Sequence, residues 1–439
     1  MKKFITTIKN IFAIEDLRTR ILNTLGFIAI FRLGSYVVLP GIDSSKLQSN
    51  SEGIFGLLDT LLGGAFSNAS IFALGIMPYI SASIVLQLLT IAVPYFQKLQ
   101  KEGESGRKKI NQYTRVLTIA ITGAQSIGFI ATINAEAIAV SNITFTISSV
   151  IILTAGTMFC MWLGEKITDK GIGNGISMLI MIGIVSRLPS ALLQEVLSKR
   201  LNGALIIILE LFVLYLVVMA VVMLTQAVRR IPVQYAKQIG GTTQYSGQRQ
   251  FIPLKVNAAG VMPIIFAQSL MFIPALIASI WRDTSETASY IGTTFSDYTS
   301  WQYNALFGFL ILVFTYFYTA ISVNPDQISN DLKRSGGFIP GVKPGLATSE
   351  YIGDVLDKVT LPGALFLAII AIFPAIALLF GVTRDFSAFF GGTSLIIMVG
   401  VVLDTLNQIE SYLLMRHYDG MMKSGKLKGR SPQNIAMAS

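Results

Sequence analysis

Ten stretches of about 20 predominantly apolar residues run through this chain, beginning near Arg20, Ser70, Gln112, Thr146, Asn174, Gly203, Asn257, Tyr303, Leu361 and Gly392. Each is long enough to cross a bilayer as a helix. In lipid every backbone N–H and C=O must find a partner within the protein, so runs of this length span as helices and not as strands. With 52% hydrophobic and 13% charged residues over 439 positions, the chain departs from any ordinary soluble domain. The expected fold class is an all-α polytopic membrane protein.

An even number of spans puts both termini on one side. Of the 34 Lys and Arg residues, 27 fall in the N-tail, the C-tail and the loops on the same side as them, six in the opposite loops, and Arg32 inside the first span. The positive-inside rule therefore places both termini in the cytoplasm, and the formal net charge of +10 follows from topology without invoking nucleic acid. Residues 1–20 carry lysines among spaced apolar residues (Phe4, Ile5, Ile8, Ile11, Phe12) without a continuous apolar core or a small-residue cleavage site. That pattern reads as an interfacial amphipathic segment rather than a cleaved signal.

Gly75-Ile76-Met77-Pro78 recurs as Gly260-Val261-Met262-Pro263, each time inside the second span of its half. The repeat divides the chain into a first half over residues 21–200 and a second over 201–413, followed by a tail over 414–439. Five spans per half give the copies opposite topology, related by a pseudo-twofold axis in the membrane plane. Between the first two spans, Ile54 to Phe66 is apolar but too short to cross, preceded by Gly53 and interrupted by Gly63-Gly64. A half-length apolar segment on the outer side reads as re-entrant or interfacial, and the glycines, which permit a sharp return, and Asp59, which disfavours lying deep in lipid, favour the re-entrant form.

Chemistry is hard to place in this chain. A single cysteine, Cys160, excludes an intramolecular disulfide, and a single histidine, His417 in the tail, excludes a histidine-based metal site or catalytic triad. The clearest intramembrane charges are Arg32, Glu210 and Asp404, and none has an evident partner at helical spacing. A proton-coupled pump needs several such groups. Gly171-Ile172-Gly173-Asn174-Gly175 lacks the preceding strand and following Lys-Ser/Thr of a phosphate cradle and reads as a tight turn into the fifth span. No cofactor is expected.

Three longer motifs then fall into a familiar order: Phe72 to Ser83, Glu102 to Arg107 and Trp162 to Ser177. With Pro253 to Asn257, Asn324-Pro325, Gly341 to Gly345 and Gly391 to Ser394, the chain from about Arg18 to Arg430 resembles the SecY family, the central subunits of the bacterial protein translocon. The resemblance implies a passive protein-conducting channel, not an enzyme, in the cytoplasmic membrane. Its two halves would close around an hourglass pore. Ile76, Ile80, Ile176, Ile180, Ile265 and Ile397 match the pore ring, and two of these pairs share a helix face by their i,i+4 spacing. An isoleucine ring offers cargo no fixed charge or hydrogen bond, yet can dewet against ions. The segment from Gly53 to Ser67 is similar to the family's plug, with Ile54, Phe55, Leu57, Leu58, Leu61 and Leu62 as its apolar residues.

Ser81, Gln125 and Asn257 match polar positions of the lateral gate, where the second and third spans face the seventh and eighth. Interhelical hydrogen bonds of this kind contribute roughly 1 kcal/mol in membranes, so an entering apolar helix can displace them. The long cytoplasmic loops over 228–256 and 324–358 correspond to those that dock the SecA ATPase and the ribosome. Arg229, Arg230, Lys237 and Lys343 are the expected contacts, and SecE and SecG the expected companion subunits. Two departures stand out: Ile239 to Gln244, with Thr242 and Thr243 at its tip, lacks the family's frequent paired arginines, and Lys343 stands where an arginine is usual. Lysine keeps the charge but loses the bidentate fork. A secondary transporter for small solutes is the alternative, and it predicts convergent polar groups at mid-membrane; an intramembrane enzyme would need paired catalytic residues.

Overall fold

The computed structural model describes residues 12, 14–43, 59, 62–131, 133, 138, 142–199, 203–235, 239–240, 243–244, 249–268, 270–271, 290, 294, 297 and 299–423, with side chains described as far as 414. Helices dominate in chain order: α1 Glu15–Gly34, α2 Met77–Ala92, α3 Pro94–Lys101, α4 Glu104–Ala131, α5 Asn142–Lys170, α6 Gly175–Lys199 and α7 Ala204–Gln226. After α7 come strands β1 Val228–Tyr235, β2 Ile239–Gly240, β3 Thr243–Gln244 and β4 Arg249–Lys255. A helical stretch over 262–268 leads into α8 Trp301–Ser322, α9 Pro325–Arg334, β5 Gly337–Phe338, α10 Leu346–Leu379, α11 Arg384–Ser387 and α12 Gly392–Lys423.

Six described helical segments are long and apolar enough to cross a membrane, or seven if α2 and α3, bent by 99° at Val93-Pro94, count together. The protein is a multi-span membrane protein. Each of the ten spans expected from sequence coincides with a described helix or, for the seventh, with the stretch over 262–268. Charges at the head of α1 and hydroxyl side chains along α4 make those two less apolar than the rest. On α4 the hydroxyls of Thr114, Thr118, Thr122 and Ser126 are buried and donate to carbonyls four residues earlier at 2.9, 2.7, 2.6 and 2.6 Å. Back-bonding of this kind keeps a hydroxyl compatible with a lipid-embedded helix. The lipid-facing logic is plainest on α7, where Leu205, Ile208, Leu209 and Phe212 are exposed.

The loop after α7 is not helical. β1 pairs antiparallel with β4 from Val228↔Lys255 to Gln234↔Arg249, and β5 joins the other edge of β1. Ile231 and Val233 point inward on alternate positions and meet Leu254, Leu332, Ile339, Ile352 and Leu356 in a small core of their own. α10 begins at Leu346, well before the run starting at Leu361, because its first turns pack on this core. Gly345, at φ +104, makes the entering turn, and its carbonyl accepts from Ser329 Oγ at 2.7 Å. A strand pair thus stands outside the membrane while the spans remain helical, as lipid requires.

Glu210, read from sequence without a partner at helical spacing, finds one across the α6–α7 turn. Lys199 pairs with Glu210 and lies 2.7 Å from Glu195 Oε1, while Glu195 Oε2 accepts from the Thr383 N–H at 2.8 Å and from its hydroxyl. Glu195 is 1% exposed, so these groups join α6, α7 and the turn before α11 in a low-dielectric site. Substituting Lys199→Met leaves two buried carboxylates without a counter-charge. A stability loss of about 3 kcal/mol is expected, seen as a lower melting temperature of the detergent-extracted protein, whereas unchanged melting would contradict this pairing.

Candidate pore and gate

The repeated Gly-x-Met-Pro quartet marks two matching breaks in the chain. Residues 71–76 and 256–261 run as turns, and helix begins at Met77 and Met262 with a proline in second position. Gly75 (φ +51) and Gly260 (φ +65) both adopt the left-handed backbone that a side chain disfavours, and proline accepts a first-turn site where no N–H partner is needed. The quartet is therefore a helix start rather than a helix interior. Gly75 also makes a close approach, since a Cβ there would sit 2.6 Å from Leu62 Cδ2, while Gly260 has open space around it.

These two breaks deliver side chains to one place. Ile76 and Ile80 at the head of α2, Ile176 and Ile180 at the head of α6, Ile265 in the stretch over 262–268 and Ile397 on α12 all belong to a single apolar cluster. Ile76, Ile80 and Ile397 are buried and the other three are half-buried. A cavity of about 20 Å³ lies between Phe31, Leu62, Ile76, Met77, Ile80, Leu179 and Ile180. That is room for about one water, among seven side chains with nothing polar to hold it.

α6 reaches the cluster because its first turn is anchored. Asn174 Oδ1 accepts from the Ile176 and Ser177 N–H groups at 3.1 and 3.3 Å, capping the helix. Gly173 (φ +82) turns the chain, its N–H donating to Gln408 Oε1 at 2.8 Å, and the Ile172 N–H donates to Thr24 Oγ1 at 3.0 Å. The glycine-rich run is thus a tight turn fastened to α1 and α12.

Of the segment Gly53 to Ser67, Asp59 and residues 62–67 are described; Ile54, Phe55, Leu57, Leu58 and Leu61 lie outside the described residues. Residues 62–69 run as turns, with Gly63 at φ +65 and Gly64 at φ +90. Phe66 meets Phe129 of α4 edge to face at 4.8 Å, and Leu62 is buried against the cluster. Arg32, read from sequence without a partner at helical spacing, has one: it donates to the hydroxyl of Tyr36, four residues on, and also to the distant Gly63 carbonyl, each at 3.1 Å. Asp404 is exposed on α12.

At the proposed gate, α2 packs along α4. Ser81 Oγ donates to the Met77 carbonyl of its own helix at 3.2 Å, and Gln125 is half-buried on α4. Asn257, only 7% exposed at the turn preceding residue 262, holds its Oδ1 without a hydrogen-bond partner among the described residues. In the cytoplasmic loops Arg229 and Arg230 are exposed on β1, and Lys343 is exposed beside α10; Lys237 and Thr242 lie outside the described residues, as does the side chain of Thr243.

Comparison with known proteins agrees in sequence and in fold. The SecY family model matches residues 70–406. The Streptomyces coelicolor protein translocase subunit SecY is 44% identical over 442 residues, covering 95% of this chain and 100% of that one. A solved structure described as a protein-conducting channel superposes with a TM-score of 0.64 at 16% identity, covering 96% of this chain and 95% of that chain. Sec61 in a canine ribosome-channel complex gives 0.59 at 16% identity, with 96% and 95% covered.

Asn257 Oδ1 is buried and has no hydrogen-bond partner among the described residues, which makes its replacement informative. Replacing a buried orphan acceptor by an apolar side chain of similar size removes its desolvation penalty, so Asn257→Leu is expected to stabilise the protein by about 1 kcal/mol. Thermal melting checks this. Destabilisation would mean that Asn257 Oδ1 is satisfied after all.

Proposed function

The chain belongs to the SecY family, and we propose that it is a protein-conducting channel which passes unfolded polypeptides across the bacterial cytoplasmic membrane and releases apolar segments into lipid. The observation that carries this reading is the convergence of six isoleucines from four helical segments on one apolar cluster, with Leu62 of the re-entrant segment against it. Such a constriction can close by dewetting, and it offers no directional bond in which a passing side chain would be trapped. The two halves, 21–200 and 201–413, open between the second and third spans on one side and the seventh and eighth on the other. Ser81, Gln125 and Asn257 line that seam. Both termini face the cytoplasm, as the distribution of Lys and Arg supports.

The driving force comes from outside the chain, from the SecA ATPase or a translating ribosome, with SecE and SecG as companion subunits. The exposed Arg229, Arg230 and Lys343, together with Lys237, supply the cytoplasmic contacts. Contacts from such side chains to ribosomal RNA phosphates depend on salt and not on sequence.

Two experiments test this. With Cys160 replaced, a cysteine at Ile80 or Ile397 is expected to crosslink to a secretory chain stalled in transit, while a cysteine at lipid-exposed Leu205 does not; equal yields at all three sites would sink the pore assignment. Reversing charge with Arg229→Glu and Arg230→Glu is expected to weaken ribosome binding about tenfold and flatten its salt dependence. Unaltered binding would place the docking surface elsewhere.

A further inference from the structure

The turn that starts α6 is held from both halves of the chain, and the two holds differ. From the first half, Thr24 Oγ1 accepts from the Ile172 N–H at 3.0 Å, and the Lys170 and Gly171 carbonyls accept from Asn23 Nδ2 and Arg20 at 3.3 Å each. At the end of α5, Thr168 Oγ1 accepts from the Gly175 N–H at 2.9 Å and the Ile167 carbonyl from the Gly171 N–H at 2.7 Å. From the second half the described residues show one hydrogen bond, in which the Gly173 N–H donates to Gln408 Oε1 at 2.8 Å. A Cβ on Gly173 would stand 3.1 Å from Thr405 Oγ1, so glycine lets α12 come this close.

α12 runs unbroken from Gly392 to Lys423 and also carries Ile397, three helical turns or about 16 Å before Gln408. One rod therefore reaches the isoleucine cluster at one level and the start of α6 at another, and α6 packs along it. The path from the bond to the cluster is short. Asn174 follows Gly173 and caps α6, and Ile176 and Ile180 lie in the first two turns of that helix. The start of α2 has no side-chain cap, so the head of α6 is the more firmly placed of the two.

We propose that Gln408 is a positioning residue for the constriction: by accepting from the Gly173 N–H it fixes the level of the α6 head against α12, so that Ile176 and Ile180 meet Ile397. The proposal rests on the channel reading above. Apolar contacts are non-directional, so packing alone opposes a slide of α6 along α12 only weakly. A hydrogen bond prescribes both distance and angle, and it opposes that slide at the turn. Gln408 acts on the seal through the chain, from the far end of α12, and touches neither cargo nor the isoleucines.

The test uses the full chain in its native membrane complex, reading the ion conductance of the idle channel in planar bilayers and, in parallel, thermal melting. Gln408→Leu, which has no acceptor, is expected to raise the idle leak about fivefold while melting stays near that of the parent. Gln408→Glu keeps an acceptor oxygen at the same reach and is expected to leak like the parent. Ile180→Ser is expected to leak as well, and combining it with Gln408→Leu gives less than the product of the two single effects, because both act on one contact. A parent-level leak in Gln408→Leu would overturn the positioning role. So would a leak in Gln408→Glu equal to that in Gln408→Leu, fully multiplicative effects in the double variant, or a leak that appears only with a collapsed melting transition. An Ile180→Ser channel as tight as the parent contradicts the constriction itself, a failure distinct from that of Gln408.

Discussion

A backbone N–H or C=O that enters hydrocarbon without a partner costs several kcal/mol, and the whole arrangement follows from where this chain does so safely. Three breaks in helical structure are critical: the turns over 62–76, those over 256–261 and the glycine-rich turn at 171–174. In each, side chains or neighbouring backbone take over the pairing that the helix gives up. Arg32 serves the Gly63 carbonyl, Asp59 the Ser67 N–H, and Thr24 and Gln408 the N–H groups of Ile172 and Gly173. Interrupted helices are thereby kept inside the protein, and their starts aim Ile76, Ile80, Ile176, Ile180 and Ile265 at one point.

The seal and its supports then divide by physical character. In the proposed channel, apolar contacts at the constriction are non-directional and would be replaced in kind by a passing chain, so opening there would have a small net cost. The polar contacts lie around it: Asp59 with Arg187 of α6, and Glu195 and Lys199 of α6 with Glu210 of α7 and Thr383 before α11. Breaking a buried ion pair leaves an uncompensated charge.

Much of this was legible in the sequence because it is periodic or local. The apolar runs announced the spans, the repeated glycines and prolines announced two matched interruptions, and the glycine-rich run announced a tight turn into the fifth span. What escaped depended on three-dimensional proximity. Arg187 and Asp59 are far apart in the chain, Glu210 meets Lys199 only because α6 and α7 turn back on each other, and Thr383 joins them from another loop. The β1–β4 pair was hidden for another reason: it lies outside the membrane, where apolar run length carries no signal and alternation over seven or eight residues is weak. The early start of α10 has the same origin, since its first turns are held by that small core. The family resemblance supplied the six isoleucines together, and the residues alone showed only that two pairs share a helix face.

The central claim is that apolar side chains converging from four segments make the seal. It is tested most directly by the ion conductance of the idle channel in planar bilayers, comparing Ile80, Ile180 and Ile397 replaced together by serine with the same three replaced by leucine. Serine is predicted to hydrate the constriction and open an ion leak, while leucine keeps the bilayer tight. A serine variant as tight as the parent, with its fold intact, would contradict the account.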